Sequence, residues 1–157
     1  MNVFAPTVNP NDTSDQTITN IAFYPDVAVA DFRDVMRVQD TVTDERTIQA
    51  LTSAMISTNK SLKEWLAVKQ AAGYVLLADV PADVVGAVSE YTHHYLTAVY
   101  SDAKAQIVRK YVDIDTQTED GRKAAQELRN HYGTYKRDAG NSIRHILGKP
   151  EITSELL

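Results

Sequence analysis

Late in the chain, Ala125, Leu128, Tyr132, Tyr135, Ala139, Ile143 and Ile146 recur at spacings of three and four. An α-helix gathers such positions on one face, whereas a strand would divide them between two. Two further runs obey the same rule. In residues 41–72, Ile48, Leu51, Met55, Leu62, Trp65 and Leu66 fall within an arc of about 100°, a core-facing stripe on which Trp65 should be largely buried. In the segment from Pro81 to about residue 113 the stripe is Val88, Tyr91, Tyr95, Val99, Ala103, Ile107 and Tyr111. Its steps are four more often than three, so its apolar face drifts around the axis. Ahead of all three, Val29, Phe32 and Met36 mark a short helix of about ten residues. The expected fold is all-α: an antiparallel bundle of three long helices plus a short N-terminal helix.

Punctuation supports these limits. Thr41 or Thr43 can cap the first long helix and Gly73 can end it. Asp83 or Ser89 can cap the second, and Thr116 or Thr118 the third, which Gly148 and Pro150 close. No strand is expected except, weakly, across YVLLADV at residues 74–80. The chain of 157 residues divides into a mobile arm (1–20), a helical domain (21–150) and a short tail (151–157). The opening residues lack the basic flank and apolar run of a signal peptide. No stretch reaches the roughly 18 consecutive apolar residues that a membrane span requires.

Composition excludes some functions. Without cysteine there is neither a disulfide scaffold nor a thiolate site. A net charge of −5 argues against coating nucleic acid, which needs clustered Lys and Arg. The charge is uneven, however: residues 121–157 carry more bases than acids. Arg122, Arg129 and Lys136 repeat every seven residues, as do Arg137 and Arg144, so all five flank the apolar stripe of the last helix. One reading is a solvated face balanced by Glu127 and Asp138. The other is an electrostatic surface for an acidic partner or a second copy, whose residues 113–120 are strongly acidic.

Catalytic motifs are scarce. Glu90-x-x-His93 could give two ligands to a carboxylate-bridged di-iron centre in a bundle, but that site requires a second Glu-x-x-His, and Glu127 and His131 are four apart. The alternative function it leaves is a small metal-dependent bundle enzyme or ligand binder using Glu90 and His93; otherwise His93 and His94 are ordinary helical surface residues. DIDTQTEDG at residues 113–121 has neither the glycine nor the glutamate spacing of a calcium loop. There is no Gly-x-Ser-x-Gly elbow and no glycine-rich phosphate loop. Neither catalytic residues nor a cofactor is expected.

The connection KQAAGYVLLADVPADVV, residues 69–85, is more apolar than loops usually are. Tyr74, Leu76 and Leu77 are either packed under the helices or offered to a neighbouring subunit or partner.

FYPDV (residues 23–27), KQAAGY (69–74), LADVPAD (77–83) and ILGKP (146–150), taken in order, resemble the head completion proteins, gpL type, of temperate phages with contractile tails. The resemblance spans roughly residues 21–150. It implies a structural virion protein of the head–tail neck, assembled in the host cytoplasm and not an enzyme. Such a protein closes the filled capsid after the packaging motor departs, binds beneath the portal protein, and offers a docking surface to tail and neck completion proteins. The family is similar to adaptors that form homo-oligomeric rings, commonly dodecamers, around a channel. Double-stranded DNA would pass through it without specific binding, since an acidic wall repels phosphate. By the same resemblance, Ile152, Leu156 and Leu157 on the tail would be portal-binding anchors; the alternative is a frayed end folded back on its own bundle.

Overall fold

The computed structural model describes residues 15–112 and 119–153. The chain order is β1 (Thr17–Ile18), β2 (Val27–Ala28), α1 (Val29–Met36), α2 (Asp44–Ser61), α3 (Lys63–Ala71), a 3-10 turn (Leu77–Asp79), β3 (Val84–Val85), β4 (Val88–Ser89), α4 (Glu90–Val112) and α5 (Glu119–Ile146). The molecule is thus mostly helical but not strictly all-α, because β1 pairs antiparallel with β2 and β3 with β4. Sequence periodicity could not announce strands of two residues. Thr17 and Ile18 fall inside the stretch read as an arm, where their pairing holds them against Ala28 and Val27.

Cross-helix bonds fix the packing. Lys110 donates to Gln49 and Tyr95 to Asn59, so α2 runs antiparallel to α4. Lys136 meets Asp102 and His145 meets Glu90, so α5 does the same on α4. The central α4 buries Tyr95, Val99, Ala103 and Ile107, as its stripe predicts. Against it α2 buries Leu51, Met55 and Thr58, followed by Leu62.

The run at residues 41–72 is two helices, not one. Thr43 caps α2 by accepting the Arg46 N–H, and the helix breaks at Leu62, whose backbone leaves helical values (φ −99°, ψ 5°). The Ser61 hydroxyl donates to the Ser57 carbonyl, a back-bond that bends helices. Leu62 itself is fully buried, so the bend turns around a core contact and needs neither Gly nor Pro. Trp65, on α3, is consequently half-buried rather than buried. Its ring meets Phe23 and Tyr91 edge-on and lies under the Lys69 ammonium.

Residues 74–80 form no strand. Gly73, at φ 95°, ends α3 in a Schellman turn, with Tyr74 N–H on the Lys69 carbonyl and Gly73 N–H on Gln70. Leu77 N–H then binds the Phe23 carbonyl, and Leu77 and Val80 enter the core beside Phe23 and Tyr24. The second long helix also begins later than Pro81. Ser89 is its cap, accepting the Thr92 N–H, and residues 84–89 form a hairpin instead.

A polar knot ties the N-terminal loop into this core. Asn20 donates to the Tyr95 hydroxyl at 2.7 Å and to the Pro25 carbonyl, Tyr95 donates to Asn59, and Asn59 donates back to Asn20. Burial pushes the Tyr95 phenol up to about 12. Tyr24 stacks on Tyr95 with centroids 4.5 Å apart, yet its buried hydroxyl has no partner among the described residues. Tyr95→Phe should therefore cost about 1–3 kcal/mol in urea unfolding by stranding Asn20 and Asn59, whereas Tyr24→Phe should be neutral or stabilising. Equal effects for the two would refute the knot.

Candidate functional site

The apolar residues of 74–80 and the basic face of α5 are two surfaces singled out by the sequence that the structure can place. In the first, the apolar residues separate by depth. Leu77 is buried within the monomer at 1% exposure, so its place is the core and not an intersubunit surface. Tyr74 is half-buried, while Leu76 and its neighbour Val75 are exposed. Further along the same connection Val84, Val85 and Val88 are also exposed. The sequence reading missed this hairpin, because its apolar residues were assigned to the loop or to the start of a helix. Gly86 and Ala87 both have positive φ, 60° and 66°, as a two-residue type I′ turn demands. For Ala87 that conformation is strained, and such strain is commonest where function holds it in place. The hairpin thus presents three valines on a tightly constrained tip.

The basic face is divided too. Lys136 Nζ lies 2.6 Å from Asp102 Oδ1 on α4, and this carboxylate is 8% exposed and also accepts from Gln106. Lys136, although 47% exposed, thereby ties α5 to a buried carboxylate of α4. Its acid partner is on the neighbouring helix, not Glu127 or Asp138 nearby on its own. Arg144 donates to the Pro150 carbonyl, tying down the chain that leaves α5. Arg122, Arg129 and Arg137 are exposed, and they carry what remains of the cationic surface. On the tail, Ile152 is exposed, with its N–H on Asn141 of α5. Leu156 and Leu157, like Thr116 and Thr118, lie outside the described residues.

Two places could hold a small ligand. A groove of about 420 Å³ is lined by Arg37, Lys104, Ile107, Leu128, His131 and Tyr135 among others. Among the described residues, its lining offers no carboxylate to pair with His131 for acid–base chemistry. Burial lowers the Lys104 pKa, and its ammonium donates to the Arg37 carbonyl. The other place is at the opposite end of α4. There Glu90, His94 and His145 bring one ligand atom each to within 4.8 Å of one another. The sequence reading paired Glu90 with His93, but His93 is exposed and outside the cluster. A four-residue step keeps Glu90 and His94 on one side of the helix as well as a three-residue step would, so only the position of α5 could decide between them.

These surfaces belong to a mostly helical protein with small antiparallel strand pairs. The sequence model of the family described as phage head completion protein (GPL) matches residues 18–157. The chain belongs to that family. It is 34% identical over 144 residues to the head completion/stabilization protein of Escherichia phage P2, covering 91% of this chain and 85% of that protein. No solved structure matches. Among the described residues no helix is long and apolar enough to cross a membrane.

Reversing Arg129 and reversing Lys136, which pairs with the buried Asp102, should differ sharply. Arg129→Glu should change unfolding free energy by no more than about 0.5 kcal/mol. Lys136→Glu should cost about 1.5–3 kcal/mol, because it removes a charge-assisted bond and sets a like charge against Asp102. Chemical denaturation of the two variants checks this, and equal midpoints would count against the Lys136 contact.

Proposed function

We propose that this protein completes the DNA-filled head as a structural component of the neck. In this reading it binds beneath the portal as a homo-oligomeric ring, a dodecamer, and presents its other side to tail and neck proteins. It performs no catalysis, and DNA traverses the ring without specific binding. The observation that carries the reading is the family match across residues 18–157. The physical features agree with it. Rings are built from heterologous contacts, in which one patch of a subunit meets a different patch of the next. This chain exposes two unlike sets of residues that could serve so: the apolar Val75, Leu76, Val84, Val85 and Val88 of one connection, and the cationic Arg122, Arg129 and Arg137 of α5. The acidic character of residues 113–120 gives the cationic set a complement on a sister subunit.

The tail extends the same reading to the portal. Proline cannot continue a helix, and Pro150 turns the chain off α5 into a stretch carrying Ile152, Leu156 and Leu157. Apolar residues without a core of their own are what a segment that orders on binding carries.

Two measurements test the halves of this proposal. Arg129→Glu combined with Arg137→Glu should leave helicity unchanged but weaken self-assembly or portal attachment in a salt-sensitive manner, read by sedimentation at two ionic strengths. Normal particle completion would return the cationic set to a solvated role. Deleting residues 151–157 should give a folded chain that no longer attaches to portal-bearing heads. Infectious particles at wild-type yield would show that the tail is dispensable.

A further inference from the structure

The last turn of α5 and the first turn of α4 meet through three side chains that packing alone does not require. Glu90 Oε1 and His145 Nε2 are in direct contact. The His94 and His145 rings stack with centroids 3.9 Å apart, and all three ligand atoms lie within 4.8 Å. Each position is firmly held. Glu90 follows the Ser89 cap, with its N–H on the Asp83 carbonyl. His145 precedes a Schellman turn in which Gly148, at φ 66°, donates to the His145 carbonyl and Lys149 donates to Arg144.

Helix dipoles account for an acid at the start of α4 and a histidine at the end of α5. They do not account for a second imidazole stacked on the first. The stack brings a nitrogen of each ring and a Glu90 oxygen within 4.8 Å of one another, and imidazole nitrogen and carboxylate oxygen are donors that zinc takes.

We propose that Glu90, His94 and His145 bind a zinc ion that clasps the end of α5 to the start of α4. Two imidazoles and a carboxylate are an established zinc donor set. Tetrahedral zinc with its usual bond lengths holds ligand atoms about 3.4 Å apart. Side-chain rotation brings the three atoms to that value, parting the direct Glu90–His145 contact to admit the ion, since both side chains are partly exposed. Glu90 supplies one negative charge against the dication, and water fills the remaining position. The ion's role is structural: it fixes the helix end from which the chain turns at Gly148 and Pro150 toward the tail. This assignment stands independently of the neck reading and assigns no catalysis.

The test uses the full chain without an affinity tag, stripped with chelator and then titrated with Zn²⁺ by calorimetry and with Co²⁺ by visible absorption. One ion should bind per chain, raise the melting temperature as its concentration rises, and give the ligand-field bands of a nitrogen–oxygen site. His94→Gln should weaken binding by at least about 100-fold, more than loss of an outer-sphere partner does, while leaving the Glu90–His145 contact intact. His93→Gln and His131→Gln should bind as the unaltered chain does. Absence of binding in the unaltered chain, or undiminished binding in a folded His94→Gln chain, overturns the proposal. A residual Glu90–His145 ion pair without metal dependence is the structure that would remain.

Discussion

The hydroxyl of Tyr95 is the point on which the fold turns. It is carried by the central helix, the one that α2 and α5 both pack against, and its side chain is fully buried. Burial of a phenol costs free energy that a hydrogen-bond partner for its oxygen offsets. Asn20 and Asn59 provide that offset, and in doing so they select one arrangement of the N-terminal loop and one register of α2 on α4. A half-turn slip of α2 would leave several buried polar groups unpaired, each at a cost of about 1–3 kcal/mol. Apolar stripes bring helices together with little directional preference. The knot makes one alignment win.

The same loop explains why separate stretches of this sequence carry the family resemblance. FYPDV provides Phe23 and Tyr24 to the core and the carbonyl that receives Leu77. LADVPAD provides Leu77 and Val80, packed in that same cluster. KQAAGY forms the turn that ends α3, and ILGKP forms its counterpart at the end of α5, with Ile146 buried. The recognisable residues therefore build the scaffold. Those facing outward, where partners would be chosen, lie mostly between them: the hairpin of residues 84–89 and the arginines of α5. Residues that fix a fold leave less freedom than residues whose only constraint is a partner's surface.

Much of the architecture was legible because a helix repeats its burial every three or four residues. The stripes of α2, α4 and α5, the caps Thr43 and Ser89, and the stops at Gly73 and Gly148 all lie where spacing and backbone chemistry place them. What escaped was set by contacts distant in sequence. The bend at Leu62 has no Gly or Pro to mark it and arises from core burial plus a serine back-bond. The strands are too short for a period of two to show. Lys136 looked like its arginine neighbours, since nothing local reveals that Asp102 faces it from another helix. Likewise His94 and His93 are adjacent and chemically identical, and only the position of His145 separates their environments.

That dependence on α5 gives the molecule a mechanical polarity. At the Tyr95 end of α4 the core is held by large buried side chains and a closed polar knot. Along α5, by contrast, the buried residues are small: Ala125, Ala139 and Ser142, with Ile146 the one large apolar group among the described residues. Small residues let helices approach closely but remove little apolar area from water, so α5 contributes less hydrophobic stabilisation per turn than α2 does. Half-buried Leu128, Tyr132, Tyr135 and Ile143 add to its packing, and polar contacts supplement it, Lys136 to Asp102 midway and His145 to Glu90 at the end. Polar contacts of that kind can be exchanged for others at modest cost, whereas an apolar core cannot be reopened without exposing it. Of the two helices packed on α4, α2 is therefore held chiefly by large apolar side chains and the knot, and α5 by small residues in close approach with polar contacts added.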